Sequence, residues 1–160
     1  MIIVSGLAKG IDTVAHETAL EFGLKTISVL AGGLQHIYPP ENKNLAEEIL
    51  KNGVLVSEFP LGLKPLARNF PIRNRVISGL SMGILVTVAG KNSGEKITAA
   101  FALEQNREVF TVPGRVDSTA SSGTNSLIAR QHAKLVSSAE NVFGGIITYF
   151  CHCNQSSSFS

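Results

Sequence analysis

The sequence predicts a doubly wound α/β domain with a mostly parallel sheet. Three observations carry that expectation. Short apolar, β-branched runs recur along the chain and read as strands covered on both faces. Segments with helical periodicity separate them. Glycine- or proline-containing turns close most of these segments, as expected where strand and helix alternate.

The elements follow in order. Residues 2–4 (IIV) form a first short strand. Ile11, Val14, Ala15, Thr18, Ala19 and Phe22 make an i, i+3, i+4, i+7 stripe, an amphipathic helix stopped by Gly23. Residues 26–30 are a second strand bounded by Ala31-Gly32-Gly33, and Pro39-Pro40 breaks the chain. Leu45, Ala46, Ile49 and Leu50 form the next stripe, ended by Gly53, and residues 54–56 are a third strand. A loop with three prolines spans 57–71. A helix then opens around Asn69-Phe70-Pro71 and runs to about Leu80, because proline suits a first helical turn. Residues 84–88 are a fourth strand, and Ser93 caps a helix running to Asn106. Residues 108–112 are a fifth strand, 125–131 a short helix, and 134–136 a last strand. The pattern defines one domain over 1–142. The tail, 143–160, falls outside it and is expected to be unstructured. It carries both cysteines, in Cys151-His152-Cys153, too crowded a run to close a zinc site. No metal and no cofactor is expected.

Composition narrows the function classes. The 160 residues suffice for one core, and charged residues are only 16%. No run of about 18 apolar residues could span a membrane, and no signal peptide is evident, so a cytoplasmic protein is expected. Between 59 and 94 there is no Asp or Glu, but there are Lys64, Arg68, Arg73, Arg75 and Lys91. The other nine basic residues face twelve acidic ones. One basic stretch in an otherwise acidic chain suits a polyanion.

In doubly wound sheets, ligands sit beyond the carboxyl ends of the strands. The first such turn is Ser5-Gly6-Leu7-Ala8-Lys9-Gly10. Its glycines allow close approach, the next helix offers N–H groups to an anion, and Lys9 adds a charge. It matches neither G-x-G-x-x-G nor the P-loop, and a plain packing turn explains it equally well. Gly33 could bring backbone to a ligand or simply end a strand. Arg73 and Arg75 near a helix start oppose its dipole, which makes sense with an outside anion. Phe70 beside Asn74 and these arginines offers a stacking face next to charge, as single strands require. The alternatives are that Phe70 anchors the core and that one arginine pairs with Glu58 or Asp12. His16 reads as a packed histidine. No nucleophile elbow, catalytic triad or carboxylate pair is evident, so no enzymatic activity is expected.

Taken together, SGLAKGID (5–12), TISVLAGGL (26–34), YPPEN (38–42), SEFPLG (57–62), FPIRNRVISGLS (70–81), REVFTVPG (107–114) and SGTNSLI (122–128) resemble the DNA-processing protein A (DprA/Smf) family. The resemblance implies a Rossmann-like fold, single-stranded DNA binding, loading of the recombinase RecA in natural transformation, and a homodimer. It places the DNA site at Ser5, Gly6, Lys9, Gly10, Gly33, Phe70, Arg73, Asn74 and Arg75, with Arg68 on a phosphate. The chain starts after the family's G-S-R strand, has Ala67 where a basic residue is usual, carries Val88 where the family has an acid, and gains Glu95. It also lacks the winged-helix extension of some members. The implied consequence is weaker DNA binding than in a full-length relative. The rival readings are a phosphoribohydrolase-type (lysine-decarboxylase-like) Rossmann enzyme, whose P-G-G-x-G-T-x-x-E is matched only by Ala31-Gly32-Gly33, and an inactive fragment with a structural role.

Overall fold

The alternation of β-branched runs and helical stripes folds into two compact units, Met1–Leu80 and a second beginning at Ser81. The computed structural model describes residues 1–90 and 94–146, apart from the Glu95 side chain. Ser93, Lys91 and the Cys151–Cys153 run therefore lie outside the described residues.

In the first unit, β1 (Ile2–Ser5), α1 (Ile11–Glu21), β2 (Lys25–Val29), α2 (Lys43–Asn52) and β3 (Val54–Val56) make a β-α-β-α-β run, closed by α3 (Asn69–Leu80). Its three strands are parallel in the order β1-β2-β3, with Ile3 opposite Thr26 and Ile27 opposite Val54. Leu7, Leu30, Ala46 and Ile49 form its buried core, with Leu20, Ile37, Leu45 and Leu55 packed around them. The second unit repeats the plan: β4 (Gly83–Val86), α4 (Gly94–Glu104), β5 (Glu108–Thr111), α5 (Ser122–Ala129) and β6 (Lys134–Leu135). Its strands are again parallel, in the order β4-β5-β6. Phe110, Val109, Val86 and Ala102 are buried there. Each unit is a βαβαβ half of the Rossmann-like class.

Three helices return to the sheet through one device. Gly23, Asn106 and Gln131 each adopt positive φ after α1, α4 and α5. Their N–H groups reach back to Leu20, Leu103 and Ile128, and the following N–H groups reach Ala19, Ala102 and Leu127. This is the Schellman closure, in which the left-handed residue satisfies carbonyls the helix leaves open. Glycine and asparagine suit that conformation; glutamine does not.

The structure corrects several boundaries. The fourth strand ends at Val86, and Val88 is exposed. The helix expected over 125–131 starts at Ser122 and ends at Ala129. The α1 stripe is only partly the buried face: Ile11 and Val14 are each 52% exposed and Phe22 72%. The helix buries Ala19 of the stripe together with His16, because the positions that meet the sheet, not the most apolar ones, are covered.

His16 is fully buried and its Nδ1 lies 2.6 Å from Thr26 Oγ1. The Thr26 hydroxyl already donates to Ile3 O, so Nδ1 carries the imidazole proton. Nε2 is buried and meets no hydrogen-bond partner among the described residues. Burial lowers the His16 pKa from 6.5 to about 4, with Asp12 opposing and Arg73 adding to the shift.

Arg73 docks α3 on the sheet. It is only 4% exposed, and Nη1 donates to Gly6 O and Val29 O, both at 2.6 Å. Asn69 Nδ2 donates to Ala31 O at 3.0 Å. These carbonyls lie at and just past the carboxyl ends of β1 and β2, where the ladder no longer satisfies them.

Three measurements follow. Gln131→Gly should raise stability by about 1 kcal/mol, read as a higher thermal midpoint. Arg73→Ala should destabilise by about 3–5 kcal/mol in urea unfolding, since it strands two buried carbonyls. The depressed His16 pKa contributes about 3 kcal/mol that is present above pH 6.5 and lost as pH falls towards 4. The stability of His16→Gln should therefore fall less between pH 7 and pH 4 than that of the unaltered chain.

Candidate nucleic-acid interface

The residues picked out by sequence gather in the first unit, but they differ in what they have left to offer. In the turn after β1, Asp12 takes two donors: Ser5 Oγ at 2.7 Å and the Ala8 N–H at 3.1 Å. Part of the donor set expected for an anion is thus already used by the chain's own carboxylate. Gly10 has φ +92° and open space beside it, so it supplies backbone freedom at the start of α1. Lys9 Nζ sits 2.6 Å from Glu41 Oε1 on the surface. That hydrogen bond raises the lysine pKa and lowers the glutamate's. Asn42 pins the same turn from behind, donating to Leu7 O at 2.9 Å and Thr13 Oγ1 at 2.8 Å.

Gly33 does not hold open a ligand approach. A Cβ there would strike the main chain of Pro60 and Leu61, and its N–H donates to Leu63 O at 2.8 Å. The missing side chain lets the 57–65 loop lie on the strand exit. Gly6 likewise faces the Arg73 guanidinium, which a Cβ would meet.

At the start of α3, the two arginines part company, as their spacing requires. Arg73 points inward to the carbonyls described above. Its Nε donates to Asn74 Oδ1 at 3.1 Å, fixing that amide. Desolvation lowers the Arg73 pKa, with the Asp12 charge opposing it. Arg75 points outward, and its Nη2 is 2.6 Å from both oxygens of Glu58, the pairing that sequence had offered as an alternative. Arg68 is exposed and forms no ion pair among the described residues.

Phe70 is half-buried. Its ring stands 5.8 Å from Tyr38 at 73°, edge to face, and the Arg73 guanidinium carbon lies 5.7 Å from its centroid. The ring is thus held by a cation and a second aromatic rather than sunk among aliphatics. Tyr38, which precedes the chain-breaking Pro39-Pro40, is 51% exposed and belongs to this aromatic pair. Its signal was an aromatic beside prolines, indistinguishable from a turn without the contact to Phe70. Among the described residues no three His, Cys, Asp or Glu side chains gather as a metal site, and no helix is long and apolar enough to cross a membrane.

The comparisons with known proteins agree with the segments noted in the sequence. The family model for DNA recombination-mediator protein A matches residues 1–146. The DNA processing protein DprA of Bacillus subtilis is 49% identical over 142 residues, 89% of this chain and 48% of that protein. A crystal structure of DNA processing protein A from Streptococcus pneumoniae superposes with a TM-score of 0.82 at 44% identity, over 90% of this chain and 50% of that one. The Helicobacter pylori protein, whose structure is described for its single-stranded DNA binding mode, gives 0.82 at 32% identity, over 92% and 66%. The chain thus spans about half the length of the Bacillus relative. With the family model matching residues 1–146, nearly the whole chain, this protein belongs to the DNA recombination-mediator protein A family.

Proposed function

We propose that this chain binds single-stranded DNA in recombination mediation, with Phe70 stacking on a base and Arg68 meeting the backbone. The observation that carries this reading is the partly buried Phe70 ring, braced by Arg73 and Tyr38, two residues from an arginine without an ion pair among the described residues. Stacking beside positive charge is how single strands are held without base-edge readout. The relative from Helicobacter pylori, described for its single-stranded DNA binding, supports the choice of ligand. Ser5, Gly6, Lys9 and Gly10 shape the floor of the site, and Gly33 acts indirectly by letting the 57–65 loop lie on the strand exit. Arg73 and Asn74 act on DNA through the position of Phe70, and Arg75 acts through its exchange between Glu58 and a phosphate.

The same reading gives the chain a RecA-type recombinase as partner, a homodimeric state, a cytoplasmic setting and no catalysis, all carried by the family resemblance. The enzyme alternative has less support. The Ala31-Gly32-Gly33 exit, where a phosphoribohydrolase would present its motif, lies beneath the 60–65 loop.

Binding of fluorescent oligo-dT across a salt series tests the reading. Phe70→Ala should weaken binding by about 10-fold, the loss of one stacked base. Arg68→Ala should flatten the log–log salt slope by about 0.7, one phosphate contact. Arg73→Ala is a poor probe, because it removes the docking of α3. Binding to oligo-dT unaffected by both variants would place the DNA elsewhere; no binding would reject the function.

A further inference from the structure

Beside the aromatic pair lies a groove of about 470 Å³, lined by Gln35, His36, Tyr38, Lys43, Lys64 and Pro65 among others. None of the residues lining it is acidic. Lys43 and Lys64 are exposed and form no ion pair among the described residues. Their neighbours Lys9, Lys51 and Arg75 all do. Lys43 is moreover the first residue of α2, where the helix dipole already places partial positive charge. Two lysines without ion pairs on one acid-free groove favour an anion between them.

The walls are braced. His36 Nε2 donates to Gly62 O at 3.1 Å, the His36 N–H to Gly33 O at 2.9 Å, and the Gln35 N–H to Leu61 O at 3.3 Å. The 35–38 segment is therefore tied to the 61–63 segment across the strand exit, and the groove is preformed. Its volume is within the range of small-molecule binding clefts, about 300–1,000 Å³. Tyr38 is both a wall of the groove and the neighbour of Phe70.

We propose that this groove is a second nucleotide subsite, taking the phosphodiester and base that follow the base stacked on Phe70. The inference rests on the DNA-binding reading and adds to it the path of the strand: from Phe70, over Tyr38, to phosphates held by Lys43 and Lys64. The rings of Tyr38 and Phe70 stand at 73°. Two bases lying on them cannot also stack on each other. The strand must be unstacked between the two subsites, which a single strand allows and a duplex resists.

A length series of fluorescent oligo-dT, with a matched duplex, tests this on the full chain. The variants are Lys43→Ala/Lys64→Ala, Tyr38→Ala and Phe70→Ala, each checked by circular dichroism. The lysine pair should cost about 10-fold or more on long oligomers and flatten the log–log salt slope by about 1.4. Tyr38→Ala should cost about 10-fold on the same oligomers. The lysine-pair effect should vanish on the shortest oligomer that still responds to Phe70→Ala, whereas Tyr38→Ala, which also unbraces Phe70, should cost affinity at every length. If the unaltered chain binds and responds to Phe70→Ala, but the lysine pair changes nothing or weakens every length equally, the subsite is overturned and the DNA-binding reading stands. Equal affinity for duplex overturns the subsite as well. No binding by the unaltered chain overturns both.

Discussion

The Arg73 guanidinium on Gly6 O and Val29 O is the interaction on which the first unit is arranged. Parallel strands end with carbonyls that no ladder partner satisfies, and at β1 and β2 those ends are buried. A guanidinium can serve several acceptors at once from one fixed plane. Asn69 and Asn42 repeat the solution at Ala31 O and Leu7 O. Burying the Arg73 charge is unfavourable in itself. The Asp12 charge partly offsets it, and the removal of two orphaned carbonyls offsets more.

That placement determines what the surface presents. With Arg73 turned inward, Phe70 lies one helical turn earlier on the same face, within cation–π distance of the guanidinium carbon, and Tyr38 packs on its edge. Arg73, expected from sequence to contact DNA, turns inward and supports the ring proposed to stack on a base. The distinction matters for interpreting variants: loss of binding in an Arg73 variant reports folding as much as recognition.

Charge follows the same economy. Lys9, Arg75 and Arg73 all have partners within the chain, whereas Arg68, Lys43 and Lys64 form no ion pair among the described residues. In the proposed DNA site the second set would attract the polyanion more strongly, because a paired cation must first break its own contact.

The sequence by itself determined the fold class and the family. Continuous apolar runs, helical stripes and the F-P-x-R-N-R block are local, and local pattern is what a sequence states directly. Even the end of α1 was legible, because Gly23 marks the left-handed position that closes it. Three things needed the tertiary structure. The buried face of α1 did, because Ile11, Val14 and Phe22 are more apolar than His16 but do not meet the sheet. The fate of the arginines did, because Gly6 is 67 residues from Arg73 and Glu58 is 17 from Arg75. The Lys43–Lys64 groove did as well: Lys43 lies outside the acid-free stretch and beside Glu41, so counting along the chain hides it. Only folding turns Glu41 to Lys9 and leaves Lys43 facing Lys64, since electrostatic partnership depends on distance in space and not on order along the chain.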